Sequence, residues 1–362
     1  MVRALAAVNL AAIERNCARL AAEGPALCAV VKADAYGHGA VPCARAALAG
    51  GASWLAVATA AEAVELRAAG IAGTPILVMG ALTRAEAAAA RGAGADVVAW
   101  TEDLIDWMAG LGGGRIHVKL DSGMGRLGTR DPAQADLLAA AVRAAPGCEL
   151  VGAMTHFATA DDREDPFFGE QLERFAAWAA GYGDLVVHAA NSAALLRDRR
   201  AHFDLARCGV AIYGLDPFGR DPAARGLEPA LELTSWVAAI KPCAPGESAG
   251  YGRRFIAESP TRLGVLPIGY GDGWRRALTN NADVLVDGRR RRLVGTVSMD
   301  NVTVDLGPDT TVRPGAPATL IGGEITAEEV ARRLGTINYE VTCGLLARVP
   351  RHYHRDGVPA AP

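Results

Sequence analysis

The sequence predicts an α/β protein with an N-terminal (β/α)8 TIM-like barrel over residues 1–230 and a mainly β C-terminal domain over residues 231–362. Three observations lead there. The chain has 362 residues, more than one ordinary domain holds. Up to about residue 215, a short apolar run, a polar or Gly-rich turn and an Ala-rich helical stretch recur roughly eight times, as such a barrel requires. After about residue 230, short apolar runs punctuated by Pro and Gly take over.

The strand candidates, in order, are residues 29–31, 54–57, 76–79, 97–99, 116–120, 150–154, 185–188 and 209–212. Continuous apolar runs that alternate with helices imply parallel strands covered on both faces. Helical segments such as 85–91 and 133–143 lie between them. The first follows Thr83-Arg-Ala-Glu86, a capping box in which Thr and Glu satisfy free backbone N–H groups. In the second domain, Val284-Leu-Val-Asp-Gly-Arg-Arg-Arg-Arg-Leu-Val294 reads as a hairpin turning at Asp287-Gly288. One clear helix, residues 326–334, opens on another Thr-x-x-Glu box. No low-complexity linker marks the boundary between the domains.

Hydrophobic residues make up 51% of the chain and charged residues 21%, which suits a globular protein with a large core. A net charge of −3 gives no electrostatic case for nucleic acid or an anionic membrane. No signal-peptide pattern or membrane-spanning run is read. The seven cysteines are scattered without a C-x-x-C pair, so reduced thiols in a cytoplasm are expected. The His and Cys residues lack ligand spacing, and no metal is expected.

Barrel active sites form where strands end and βα-loops begin. Lys32, Lys119, His156, Asn191-Ser192 and the stretch 207–213 fall at such ends and would converge at one mouth. Lys32 stands in Ala29-Val-Val-Lys-Ala-Asp-Ala-Tyr-Gly-His-Gly39, directly after a buried strand. Burying its charge is costly. Two readings are open: a Schiff-base lysine, whose amine desolvation would keep nucleophilic, or a lysine that snorkels out at a strand end. Tyr36 and the glycines add a loop able to hold a phosphate. His156 is either a ligand-facing residue or a satisfied core histidine. Asn191 and Ser192 serve a phosphate, a helix cap or both. The Ser192 hydroxyl and the backbone N–H groups of Gly209 and Val210 supply donors, with small residues allowing close approach.

Several motifs recur in the order found in one family. Ala29–Gly39 is joined by His117-Val-Lys-Leu-Asp-Ser-Gly-Met-Gly-Arg-Leu-Gly128, Thr155-His-Phe-Ala-Thr-Ala-Asp161, Arg207-Cys-Gly-Val-Ala-Ile-Tyr-Gly214, Ser248-Ala-Gly-Tyr-Gly-Arg-Arg-Phe255, Ile268-Gly-Tyr-Gly-Asp-Gly273, Ser298-Met-Asp-Asn301 and Ile337-Asn-Tyr-Glu340. From near the N-terminus to about residue 350, the chain resembles the alanine racemases.

The resemblance implies pyridoxal 5'-phosphate as cofactor and a homodimer with shared active sites. Lys32 would carry the cofactor, with Asn191 beside it. Tyr36, Ser192, Gly209, Val210 and Tyr339 would surround its phosphate. Arg126 would face the cofactor's phenolic oxygen and the substrate carboxylate, as a planar guanidinium suits both anions. Lys119 matches a lysine that many relatives carry carbamylated. His156 would stack on the ring, and Arg207 would contact the ring nitrogen, where it can only donate. Asp34 and His38 belong to the signature without an assigned chemical role.

Racemisation needs proton donors on both faces of one carbon. Lys32 would serve one face and Tyr251, from the opposite subunit, the other. Tyr270 matches an entry-channel tyrosine, and the Met299 backbone N–H a group that binds the substrate carboxylate. The implied activity interconverts L-alanine and D-alanine, the latter for peptidoglycan. Phe255 stands where many relatives have a second tyrosine, and Ser298 where some have cysteine. Rival readings are a racemase for serine or another amino acid, a fold-related decarboxylase, and a non-catalytic carrier of the cofactor. Arg207 speaks against the decarboxylase, and Tyr251 and Met299 speak against the carrier.

Overall fold

The computed structural model describes residues 2–360. It contains two compact units, one spanning Ile13–Phe218 and one made of the described residues up to Ala12 with those from Gly219 onward. The division falls at 12/13 and 218/219. The start of the chain joins the second unit because β1 (Leu5–Asn9) pairs antiparallel with one of its strands and parallel with another.

The barrel unit carries β2 (Ala26–Val30), β3 (Trp54–Val57), β4 (Ile76–Val78), β5 (Asp96–Ala99), β6 (Gly114–Lys119), β7 (Cys148–Met154), β8 (Val186–His188) and β9 (Leu205–Cys208). They form one eight-stranded sheet ordered β8-β7-β6-β5-β4-β3-β2-β9, and every registered pair is parallel. The two end strands meet. Asp204 donates to the Val187 carbonyl at 3.0 Å and Arg207 to the Ala190 carbonyl at 2.9 Å. The apolar runs are buried on both faces, as in Leu55-Ala-Val57 and Ile76-Leu-Val78. Removing each such Leu, Ile or Val side chain from water stabilises the fold by about 1.5–3 kcal/mol before entropy is counted.

The helices start where the sequence places caps. Thr83 and Glu86 form their capping box ahead of Arg84–Gly92, and Thr59 and Glu62 form another ahead of Ala60–Ala68. Asp131 caps Pro132–Ala144, with proline at the first position, where its missing N–H costs nothing.

The last barrel strand departs from expectation. It occupies Leu205–Cys208, and the apolar run at 209–212 belongs instead to the 3-10 turn Val210–Tyr213. Gly209, with φ −103° and ψ −90°, breaks the strand. This shift puts Arg207 inside the strand and Gly209 at its C-terminal end.

The second unit builds on β10 (Leu231–Trp236), β11 (Ala239–Cys243), β12 (Ser248–Ala249), β13 (Phe255–Ile256), β14 (Thr261–Leu266), β15 (Asp283–Val286), β16 (Arg289–Arg292), β17 (Val302–Asp305), β18 (Pro317–Ile321), β19 (Arg351–Arg355) and β20 (Val358–Pro359). Its main sheet runs β16-β15-β18-β10-β1-β19-β20, beside a three-stranded sheet β11-β14-β17 and the pair β12-β13. Asp287 (φ 50°) and Gly288 (φ 71°) make the two-residue turn of the β15-β16 hairpin, the mirror-image geometry that matches strand twist. All four residues of β16 are arginine, and charge on an end strand discourages pairing with another chain. Thr326 caps Ala327–Leu334 by accepting the Glu329 N–H, and Asn338–Cys343 forms a further short helix.

Candidate active site

Lys32 follows β2, and the chain then does something its residue types do not advertise. Ala33, Asp34, Ala35 and Tyr36 all have φ between 52° and 55°, making a turn of left-handed helix without glycine. That conformation costs roughly 1–2 kcal/mol per residue, so neighbours must hold it. Ala33 N–H donates to Glu62 Oε1 at 2.7 Å, while Glu62 Oε2 accepts Ala58 and Thr59 N–H at 2.8 and 3.0 Å. Asp34 Oδ1 accepts Ala40 N–H at 2.8 Å. His38 Nδ1 lies 2.9 Å from the Ala35 carbonyl and 3.1 Å from that of Tyr36, and its ring stacks on Tyr213. Asp34 and His38 therefore serve the backbone around Lys32.

Lys119 ends β6, and its chain continues into a loop that returns at Thr129, whose N–H donates to the Lys119 carbonyl at 3.2 Å. Asp121 pins this loop by accepting Gly123 N–H at 3.1 Å and Gly125 N–H at 3.0 Å. Burial opposes its ionisation, but the Gly125 and Gly123 N–H groups and Arg130 outweigh burial and hold the carboxyl below its usual range. Arg126 sits on this tethered loop. Lys119 is 4% exposed, and its amine is lowered to about 8, first by burial and then by the nearby Arg207 and Arg126 guanidiniums.

His156 follows β7. Its imidazole lies well below the usual histidine range through burial and the positive charges of Arg207, Lys119, Arg126 and Lys32. Those five side chains, from four strand ends, therefore surround one place. Arg207 is buried and lowered to about 10 by desolvation. Its Nη2 donates to the carbonyls of Thr155 (2.8 Å) and Ala189 (3.1 Å) and lies 3.3 Å from His156 Nδ1. Its Nη1 donates to His188 Nδ1 at 2.8 Å. Among the described residues, none accepts a hydrogen bond from its Nε.

Beside this cluster, Ser192 Oγ accepts N–H groups of Gly209 (3.1 Å) and Ala211 (3.3 Å), on either side of Val210. Asn191 Oδ1 accepts Ala194 N–H at 2.9 Å, so Asn191 is a helix cap. The Tyr36 hydroxyl leans over Gly209 so closely that a Cβ there would lie 2.2 Å from it. Lys32, Tyr36, Lys119, Arg126, His156, Asn191, Ser192, Arg207, Gly209 and Val210 thus share the C-terminal end of the barrel.

In the second unit, Tyr251 heads a short turn whose carbonyl accepts the Thr296 hydroxyl at 2.6 Å, while its side chain is 74% exposed. Tyr270 and Met299 are brought together: Tyr270 N–H donates to the Ser298 carbonyl at 3.0 Å and Gly271 N–H to the Met299 carbonyl at 2.8 Å. Tyr339 lies in the helix Asn338–Cys343. Phe255 packs against the small apolar core formed by Cys243, Ala249, Ala257, Leu263 and Val294, a place with no need of a hydroxyl.

Residues 8–217 match the family model described as alanine racemase, N-terminal domain, and residues 230–353 match that for the C-terminal domain. An alanine racemase of Frankia casuarinae is 43% identical over 373 aligned positions, covering 97% of this chain and 96% of that one. The solved alanine racemase from Streptomyces coelicolor A3(2) superposes with a TM-score of 0.91 at 39% identity, covering 97% of this chain and 98% of that one. The alanine racemase of Bacillus anthracis, solved with bound L-Ala-P, gives 0.90 at 36% identity, with 100% and 97% covered.

The chain belongs to the alanine racemase family. It is accordingly an isomerase. The cofactor implied for the alanine racemase family, pyridoxal 5'-phosphate, fits the barrel end on three observations. Cations and a neutral histidine crowd together at Lys32. A backbone cradle opens under Tyr36, where a side chain at position 209 would not fit. A buried guanidinium leaves its Nε–H without a protein acceptor, as an unprotonated ring nitrogen requires. Reading the sequence missed Glu62 and Asp121. Glu62 has a legible signal in Thr59-Ala-Ala-Glu62, a capping box; Asp121 lies in the motif from His117 to Gly128, where its residue type alone marks no role.

Proposed function

We propose that this protein interconverts L-alanine and D-alanine, with pyridoxal 5'-phosphate held on Lys32 and with Lys32 and Tyr251 as opposed bases. The observation that carries this reading is the cluster of Lys32, Lys119, Arg126 and Arg207 around His156, inside a chain matched along its length by alanine racemases. Bound there, the cofactor would draw electron density from the substrate's α-carbon and make its proton removable.

The chain's own residues do the rest. Tyr36, Ser192 and the Gly209–Val210 backbone hold the phosphate, helped by Tyr339. Arg126 orients the substrate carboxylate, joined by the Met299 N–H. Lys119, carbamylated, turns from a cation repelling Arg126 into an anion that positions it. Arg207 only donates at the ring nitrogen. Supplying a donor and no carboxylate at that position, Arg207 would leave the nitrogen unprotonated, which would favour return of a proton to the same carbon over side reactions.

Tyr251 Oη takes the α-proton of L-alanine on one face, and Lys32 Nζ returns a proton on the other. The reverse direction exchanges their roles. A phenol has a reference pKa of about 10, so cations nearby would help it act as a base. Tyr251 is exposed on its own chain, and a second copy would receive it, giving a homodimer with shared sites. Tyr270 and Tyr339 keep the entrance small. The D-alanine would serve peptidoglycan assembly from the cytoplasm, where reduced cysteines persist.

The test is chiral analysis of amino acids incubated with the purified protein and added cofactor. D-alanine should form from L-alanine faster than D-serine from L-serine. Release of carbon dioxide, or no D-amino acid at all, would sink the reading.

A further inference from the structure

Beneath Arg207 the barrel core holds a row of polar side chains that the proposed reaction does not use. Asp96 opens β5, His117 lies inside β6 and His188 ends β8. Asp96 is 2% exposed and both histidines are fully buried. His188 Nε2 lies 2.9 Å from His117 Nδ1, and His117 Nε2 lies 3.2 Å from Asp96 Oδ2. Arg115 Nε donates to the other oxygen, Asp96 Oδ1, at 3.0 Å. The two rings meet edge to face, with centroids 5.0 Å apart, and Trp54 closes on His117 from the side.

Proton positions along this row follow from what each group can do. Arginine has no acceptor, so Arg207 Nη1–H donates and His188 Nδ1 is a bare lone pair. Burial holds both imidazoles neutral, so His188 carries its proton on Nε2. That N–H must donate to His117 Nδ1, which puts the His117 proton on Nε2. This N–H donates to a carboxylate oxygen. The row therefore has one direction, from Arg207 through His188 and His117 to Asp96, and only an acceptor at its far end sustains it.

We infer that Asp96 and His117 are positioning residues that fix the tautomer of His188 and, through it, the plane in which Arg207 presents Nε to the mouth of the barrel. Nη2 is tied to main-chain carbonyls in any case, whereas Nη1 depends on His188. If His188 held its proton on Nδ1, two N–H groups would oppose each other at 2.8 Å, and the guanidinium would have to turn. A carboxylate at position 96 is needed because two donors converge on it. An amide offers one acceptor and sets its own donors against either Arg115 or His117.

The inference rests on the proposed role of Arg207 toward the cofactor, but its first test does not. Nitrogen NMR of the histidine ring atoms in the intact, cofactor-loaded enzyme should show His188 and His117 as Nε2–H tautomers, with His188→Gln assigning the signals. An Nδ1–H His188 overturns the inference even if no variant folds. Loss of visible cofactor absorbance in the wild type would instead count against the proposed function.

In Asp96→Asn, the His188 signals should broaden or change tautomer, and the cofactor absorbance should shift. By analogy with partners that orient metal ligands, kcat should fall about tenfold, with KM within about twofold. Arg115→Met, which removes the surface partner alone, should leave all of these near wild type. A variant at Asp96 that melts earlier but keeps the tautomer, the spectrum and kcat assigns the row a merely structural role and overturns the inference.

Discussion

Oε1 of Glu62 accepts the N–H of Ala33, the first peptide after Lys32, at 2.7 Å. A helix cap on the neighbouring unit of the barrel thereby holds the left-handed turn that aims the lysine and Tyr36. Glu62→Gln leaves one acceptor oxygen for three converging N–H groups. It should cost about 1 kcal/mol of stability and weaken cofactor binding. Thermal melting with and without cofactor, and a fluorescence titration of the cofactor-free protein, check this. Unchanged melting and affinity together would show that the turn needs no such support.

Lys119 offers a chemical prediction. Its amine is lowered to about 8 by burial and then by Arg207 and Arg126, so much of it is neutral and nucleophilic at mildly alkaline pH. Carbon dioxide should add there, and native mass spectrometry in bicarbonate should show one added carbon dioxide that Lys119→Ala lacks. The sign for stability follows from proton binding. Unmodified, the folded state binds fewer protons than the unfolded chain between about 8 and the ordinary lysine range, so stability rises with pH across that window. Lys119→Met should abolish the rise; an unaltered rise would exclude Lys119 as its source.

The imidazoles of His188 and His117, fully buried, and of His156, half-buried, predict the acid limb of stability. All three lie below the usual histidine range, chiefly through burial. As pH falls below about 6.5, the unfolded chain takes up protons that the native state refuses. Stability should drop by up to about 1.4 kcal/mol per pH unit for each such ring. Denaturant titrations between pH 5 and 7, as an approximate range covering the histidine reference value, measure this slope. A flat profile would mean that these rings protonate in the folded protein.

Gly209→Ala places a Cβ 2.2 Å from the Tyr36 hydroxyl, so the ring must shift. Cofactor affinity should fall at least about tenfold, about 1.4 kcal/mol. Titration of the cofactor-free variant checks this, and wild-type affinity would remove Tyr36 from the phosphate site.

Much of the barrel was legible because buried parallel strands are continuously apolar and their helices carry threonine caps. The last strand was misplaced because residues 209–212 are apolar for another reason: they fill the core as a 3-10 turn, with Ile212 and Tyr213 fully buried. The pairing of β1 with β10 and β19 joins residues more than 200 positions apart, and no local pattern encodes it. At the site, Lys32, Arg126 and Arg207 stood out through position and motif. The left-handed turn was hidden because alanine, aspartate and tyrosine do not prefer that conformation, and it is imposed by Glu62 and His38 from outside.

The central claim is that Lys32 and Tyr251 act as opposed bases, and Tyr251→Phe tests it most directly. The variant should keep the visible absorbance of bound cofactor, because Lys32 is intact. Its turnover of L-alanine to D-alanine should fall by at least about a thousandfold, roughly 4 kcal/mol. Turnover near the wild-type rate, with cofactor bound, would contradict the account.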